Sequence, residues 1–335
     1  MTHLAPPPPP GLRPGPVPGF SVVIPAYQAA DVVGQAVASA LAQTVAPVEV
    51  IVCDDGSTDD ITGALAPYRD QIVVVRKDNG GGASALNAAI AAAGCEFVSW
   101  LDADDAYEPE RLQALGELAA ERPDLDILMT DSYLEAGGRV VGRFTELTPF
   151  AERDQPTAIL DRCFVAWPAI RRSRVLSVGG FDEQLRIAYD WDFWIRSLHA
   201  GARAGLVTTP LHRYRISQGS LSGARPAAIR ERVTVLEKAA ANPDVGEDER
   251  PALAVSLRSK RRRALLTEAE WAIRDGEPDA RRRALAVAVA RGPRFGARTR
   301  LKAGIAALLP AAAARRLARR EQEATGSRLT RWAPD

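Results

Sequence analysis

The residues of this 335-residue chain best suited to chemistry are two aspartate-rich loops, a glycine-rich loop, a ring-flanked carboxylate pair and an arginine pair. Asp102-Ala-Asp-Asp105 sets three carboxylates on a tight turn ahead of Pro109. Carboxylates so close repel each other. A hard divalent ion, Mg²⁺ or Mn²⁺, relieves that repulsion and can share its remaining positions with phosphate oxygens. Capping of the next helix by Asp104 or Asp105 on a solvated loop explains the same residues. Asp54-Asp-Gly-Ser-Thr-Asp-Asp60 also reads two ways. Gly56 permits a turn and Ser57, Thr58 or Asp59 can cap a helix, whereas Asp54 and Asp55 at a strand end suit hydrogen bonds to a nucleotide base or ribose.

The run Asp78-Asn-Gly-Gly-Gly-Ala-Ser84 opens a helix whose free backbone N–H groups can cradle a diphosphate, or it is a plain turn. It has neither the Lys-Ser/Thr of a P-loop nor Gly-x-Gly-x-x-Gly spacing from Gly80, since residue 85 is Ala. In Tyr189-Asp-Trp-Asp-Phe-Trp194 the rings can desolvate Asp190 and Asp192, which raises a carboxylate toward general-base values. The competing reading is an amphipathic helix with Trp191, Trp194 and Ile195 in the core and Asp190 near its start. Arg213 and Arg215, in His212-Arg-Tyr-Arg215, suit bidentate phosphate contacts or ordinary surface charge.

These residues need a scaffold. Short apolar or β-branched runs at 21–24, 48–52 and 72–75, with Glu96-Phe-Val-Ser-Trp-Leu101, predict strands, and helical patterns begin at Asp31, at Asp59 or Asp60, and at about Ala83. The alternation predicts an α/β fold with a mostly parallel sheet and helices on both faces. Such sheets bind ligands beyond the carboxyl ends of their strands. Pro25-Ala-Tyr-Gln28, the Asp54 cluster and the Asp102 cluster all fall at such ends. Weaker strand signals follow at 126–130, 139–144 and 206–209. Beyond Pro226 the sequence is helical and rich in Ala, Arg and Leu. The expected organisation is a proline-rich disordered leader (1–18), a catalytic-type domain (19–225) and a helical, C-terminally basic region (226–335).

Lys and Arg number 43 against 42 Asp and Glu, so no global field favours nucleic acid. Cys53, Cys95 and Cys163 are too scattered for a disulfide framework or zinc knuckle and suit a reducing compartment. No run reaches 18 apolar residues and the leader lacks the pattern of a secretory signal, so a cytoplasmic protein is expected. The near-neutral total hides an uneven distribution. Residues 291–335 hold 11 Lys/Arg and 3 Asp/Glu, and the rest hold 32 and 39. This basic tail mixes Leu301, Ile305, Leu308, Leu309 and Leu317 with Arg298, Arg300, Lys302, Arg315, Arg316, Arg319 and Arg320. It suits peripheral contact with an anionic membrane face, or a helical appendage on the catalytic domain or a second subunit.

In their order and spacing, Val22-Val-Ile-Pro-Ala-Tyr27, Val50-Ile-Val-Cys-Asp-Asp-Gly-Ser-Thr-Asp59, Asn79-Gly-Gly-Gly through Leu86-Asn87, Leu101-Asp-Ala-Asp-Asp105, Gly179-Gly-Phe-Asp and Tyr189-Asp-Trp-Asp192 resemble a family 2 glycosyltransferase of the GT-A type. The resemblance covers about residues 19–222. It implies a GT-A-like, Rossmann-like sheet flanked by helices, with a C-terminal helical extension. It also implies transfer of a sugar from a nucleotide-diphosphate sugar, a UDP-sugar being favoured, to a hydroxyl of a sugar, glycan or lipid-linked acceptor. Inversion at the anomeric carbon, Mn²⁺ or Mg²⁺ as cofactor, and a place in cell-envelope glycan or polysaccharide synthesis follow from the same resemblance. By residue, it implies Pro25, Ala26 and Tyr27 at the base and ribose, and Asp55 with Asp54 bonding the base. Asn79, Gly80, Arg213 and Arg215 are implied on the donor side. Asp102 is implied near ribose or metal, Asp104 as first metal ligand and Asp190 as base. Trp167, Trp191 and Asp192, with Trp194, are implied on the acceptor side.

Two departures stand out. Tyr189 replaces a Glu common in the family, and Ser217 replaces a histidine. They leave room for a catalytically silent nucleotide-sugar-binding or scaffolding protein. A sugar-1-phosphate nucleotidyltransferase would need a basic glycine-rich loop where Pro25-Ala-Tyr-Gln28 stands.

Overall fold

The computed structural model describes residues 18–216, 226–289 and 295–317. The expected leader and the Ser217–Ser222 stretch fall outside the described residues almost entirely or entirely, as do Arg319 and Arg320. Two compact units divide the chain: residues 1–155, 164–184 and 197–216, and residues 156–163, 185–196 and 217–335. The sequence placed one boundary near 225. The second unit also takes in two earlier segments, one of them carrying Asp190.

The first unit holds nine strands in one sheet among the described residues. They are β1 (Phe20–Ala26), β2 (Glu49–Asp54), β3 (Val73–Arg76), β4 (Phe97–Trp100), β5 (Ala106–Tyr107), β6 (Ile127–Ala136), β7 (Arg139–Arg143), β8 (Ala169–Arg171) and β9 (Ala204–Arg215). The order is β3-β2-β1-β4-β8-β6-β9-β5, with β7 beside β6. The first four strands are parallel, as the strand–helix rhythm predicts. The other half is mixed. The three-residue β8 runs antiparallel to both β4 and β6, while β6 and β9 are parallel.

The helices up to residue 216 are α1 (Val33–Leu41), α2 (Ile61–Leu65), α3 (Gly82–Ala92), α4 (Arg111–Glu121), α5 (Phe144–Leu147) and α7 (Arg172–Ser177), with α6 (Gln155–Asp161) and α8 (Tyr189–His199) lying largely in the second unit. Apolar positions of β1, β2, α1 and α4, including Val22, Ile24, Val33, Val37, Val50, Val52, Leu112 and Leu115, form one core. Each such side chain contributes about 1.5–3 kcal/mol on burial, which fixes the strand ends where the loops emerge. β9 is much longer than the 206–209 run. Its register against β6 slips twice around Asp131, opposite Pro210, which has no N–H for a regular ladder. Beyond the slip, His212 and Tyr214 alternate inward, against half-exposed Arg213 and Arg215.

The second unit is helical among its described residues: α9 (Pro226–Ala241), α10 (Arg250–Asp275), α11 (Ala280–Val289) and α12 (Ala297–Leu308), with the segments around α6 and the start of α8. Ion pairs Arg230–Glu268 and Arg261–Glu237 tie α9 to α10. No described helix is long and apolar enough to cross a membrane.

Candidate functional site: the strand-end rim and the entrance to α8

In the first unit, β1, β2 and β4 are parallel, so their carboxyl ends lie on one edge of the sheet. Pro25 and Ala26 are the last residues of β1 and Tyr27 emerges 53% exposed. The next residue, Gln28, has φ +50°. Its backbone N–H donates to Ser57 Oγ (3.0 Å), its side-chain amide N–H donates to Thr58 Oγ1 (3.0 Å), and its amide oxygen accepts the Thr58 N–H (2.7 Å). The first loop is thereby stitched to the second by Gln28, the last residue of the Pro25-Ala-Tyr-Gln28 cluster.

Asp54 and Asp55 are each 2% exposed. Asp54 accepts the Ser57 N–H (2.8 Å) and pairs with Arg76 (3.0 Å). Asp55 is more heavily engaged, accepting Lys77 Nζ (2.8 Å), the Gly80 N–H (2.9 Å) and the Gly81 N–H (2.7 Å). Asn79 Nδ2 donates to the Asp55 carbonyl (3.0 Å). The glycine amides that the sequence offered to a diphosphate thus hold a carboxylate of the neighbouring loop. Gly56, at φ +76°, permits this approach: a Cβ there would lie 2.8 Å from the Asn79 nitrogen.

After β4, both Asp102 oxygens accept indole N–H groups, Oδ1 from Trp100 (2.8 Å) and Oδ2 from Trp167 (3.0 Å). Asp104 is exposed and has no ion pair among the described residues. Packing of the loop around its base raises its pKa, opposed by a backbone N–H and by Arg215. Asp105 is fully buried; it accepts the Arg215 N–H (2.8 Å) and lies 3.4 Å from His212 Nε2. Burial drives the Asp105 pKa well up and that of His212 well down. Asp105 therefore braces the turn from below.

Trp167, with φ +45°, is the strained member of this group. Its ring stacks on His212 (4.7 Å between centroids) and leans on Tyr214 (4.7 Å). At 8% exposure it is buried, and its indole N–H orients Asp102. Arg213 is bound by Glu108 (2.5 Å) and Glu135 (3.5 Å), so its charge is already matched within the sheet.

In the second unit, Asp190 opens α8 and is half-buried. Its Oδ1 accepts the Trp191 N–H (2.7 Å). Burial raises its pKa from 3.8 to about 6, against the opposing Trp191 N–H and Arg232, with Glu231 adding to the rise. Glu231 on α9 accepts three successive backbone N–H groups just upstream, from Arg186 (2.9 Å), Ile187 (2.7 Å) and Ala188 (2.8 Å). Two turns further along α9, Lys238 pairs with Asp192 (2.6 Å), which also accepts Arg196 Nε (2.8 Å). α9 thus fixes the start of α8 at two points. Trp191 and Trp194 are 4% and 1% exposed, and the Trp191 indole donates to the Ile159 carbonyl (2.7 Å). These rings form the core face of an amphipathic helix, beside an Asp192 held by Lys238 and Arg196. No sequence signal pointed to Glu231 or Lys238, because their targets lie more than 40 residues away.

A divalent cation is the group this fold implies. Among the described residues, no three His, Cys, Asp or Glu side chains converge as a metal cluster. An exposed Asp104 carboxylate, two residues from an Asp102 held in orientation by two N–H donors, is nevertheless a hard-oxygen donor set suited to Mg²⁺ or Mn²⁺ completed by water and substrate oxygens.

Comparison with known proteins bears on the fold. TarS 1–349 of S. aureus in complex with UDP-GlcNAc superposes with a TM-score of 0.60 at 18% identity, over 86% of this chain and 91% of that one. The mannosyltransferase PcManGT of Pyrobaculum calidifontis, in complex with GDP-Man and Mn²⁺, gives 0.57 at 20% identity, over 92% and 86%. The fold is that of the GT-A glycosyltransferases. Residues 21–178 match the glycosyl transferase family 2 profile. The succinoglycan biosynthesis protein ExoU of Rhizobium meliloti is 33% identical over 220 residues, 60% of this chain and 63% of that protein. The chain spans about three-fifths of the length of the first curated relatives it matches. The family match ends before α8, so Asp190 and Glu231 lie outside it.

Proposed function

We propose that this chain transfers a sugar, with inversion, from a nucleotide-diphosphate sugar to an acceptor hydroxyl in polysaccharide or cell-envelope glycan synthesis. The observation that carries this reading is the interlocked rim at the ends of β1, β2 and β4, within the family match. A UDP-sugar is the favoured donor, in keeping with the UDP-GlcNAc held by TarS. Pro25, Ala26 and Tyr27 border the base. Asp55 uses three of its roughly four acceptor positions internally, leaving one for a base N–H. Asn79 and Gly80 lie on the same donor-side rim, and Arg215 is better placed than the doubly paired Arg213 to meet phosphate.

Asp104, with Asp102, holds the divalent cation, which when bound neutralises charge on the departing diphosphate. Asp190 accepts the proton of the acceptor hydroxyl. That oxygen forms a bond to the anomeric carbon as the bond from this carbon to the diphosphate oxygen breaks on the opposite face. The electron pair leaves with the nucleoside diphosphate. A carboxyl titrating at about 6 is ionised at neutral pH yet more basic than an ordinary aspartate, which suits this step. Glu231 positions Asp190 by fixing the three amides that precede it.

Calorimetry with UDP, GDP, dTDP and CDP, with and without Mn²⁺, tests the donor site. One diphosphate should bind in a metal-dependent way, and Asp104→Ala should lose that dependence. Failure of every diphosphate to bind under either condition would overturn the reading. Turnover that disappears in Asp190→Asn while binding persists separates an enzyme from a silent binder.

A further inference from the structure

The C-terminal helices pack through their small residues. Ala272, Ala280, Ala284 and Ala307 form a buried core with Ile273, and Ala303 packs against a second cluster around Phe295. α12 thus turns its alanine side inward. Its large apolar residues face the other way: Leu301, Ile305 and Leu308 are 66%, 50% and 76% exposed. Their i, i+4, i+7 spacing stacks them as one stripe on the helix surface. This inverts the usual arrangement, in which a helix closing a bundle buries its leucines. A contiguous exposed stripe of this kind marks a binding surface.

Charge identifies the occupant. Every Asp, Glu, Lys or Arg position from 295 to 317 is basic: Arg298, Arg300, Lys302, Arg315 and Arg316. Arg298 and Lys302 are exposed and lie beside the stripe on the helical wheel. A second copy of this face would bring like charges together, which disfavours self-association. An anionic bilayer surface answers both features, since its acyl boundary takes the leucines and its headgroup phosphates take the cations.

We propose that α12 is a membrane-surface helix that lies on an anionic lipid bilayer, with Leu301, Ile305 and Leu308 at the acyl boundary and Arg298 and Lys302 among the headgroup phosphates. The helix is in-plane, since at 12 residues it is far too short to span. Such docking holds the chain at the surface where a lipid-linked acceptor resides. It does not depend on the assigned transferase activity.

The test is co-sedimentation of the full chain with vesicles of phosphatidylcholine alone and of phosphatidylcholine mixed with phosphatidylglycerol. The chain should pellet with the mixed vesicles only, and less as salt rises. The triple variant Leu301→Ser, Ile305→Ser, Leu308→Ser should bind at least ~10-fold more weakly with unchanged helical content, because it removes exposed apolar area only. Arg298→Glu with Lys302→Glu should also lose binding, by a route that leaves the apolar stripe intact. Wild type that stays in the supernatant with both vesicle types would overturn the proposal, as would equal pelleting of all variants. Concentration-dependent self-association that the triple variant abolishes, without vesicle binding, would assign the face to a second copy and also overturn it.

Discussion

Asp55 and Asp190 are the same side chain in opposite settings. At the strand-end rim, Asp55 is surrounded by donors, one lysine and two glycine amides, and its charge is matched where it lies. At the entrance to α8, Asp190 is desolvated, opposed only by two backbone N–H groups (that of Trp191 and its own) and by Arg232, with Glu231 adding to the rise. The three amides before α8 are bound by Glu231. A carboxylate with most of its acceptor positions filled fixes loops, whereas a desolvated one with fewer donors keeps its affinity for a proton. Burial alone does not distinguish the two roles; the count of N–H donors does.

The largest expected effect breaks the reactive side. Asp190→Asn should lower kcat by about 10²–10⁴-fold, the usual worth of a general base, with nucleoside diphosphate binding unchanged by calorimetry. A retained rate would erase the contrast. Asp55→Ala should act on stability, since it strands a part-buried lysine and two loop amides. Chemical denaturation should show a loss of about 2–3 kcal/mol, below the value for a fully buried pair because Lys77 reaches solvent. Glu231→Ala should reduce kcat about tenfold by freeing the segment before Asp190. Glu231→Gln, which keeps one of the two acceptor oxygens and removes the charge, should lower kcat less than Glu231→Ala and move the acid limb of the pH–rate profile to lower pH. Trp167→Phe is the mildest change. It removes one N–H from Asp102 at a net cost of about 1 kcal/mol, so half-maximal Mn²⁺-assisted nucleotide binding should need roughly fivefold more metal.

The parallel half of the sheet was legible because β1 to β4 are β-branched runs bounded by turn residues, and the aspartate loops follow them within a few positions. What lay beyond local pattern was not. β8 has three residues and β5 two, too short to carry a period. β9 hides behind Pro210, after which His212 and Tyr214 turn inward, so a basic stretch that reads as a phosphate site is partly a strand whose Arg213 is matched by Glu108. The ring-rich start of α8 was open to two readings, and burial of Trp191 and Trp194 favours the core one. Glu231 is invisible to any local reading, since its meaning lies in amides 43 to 45 positions upstream.

The most direct test of the contrast is the pH dependence of nucleoside diphosphate release from the donor sugar by wild type and Asp190→Asn. Asp190 must be ionised to accept a proton, so the wild-type rate should rise with pH through a single acid limb centred near 6. The residual activity of Asp190→Asn should lack that limb. A wild-type limb near 4, or the same limb retained in the variant, would contradict the account.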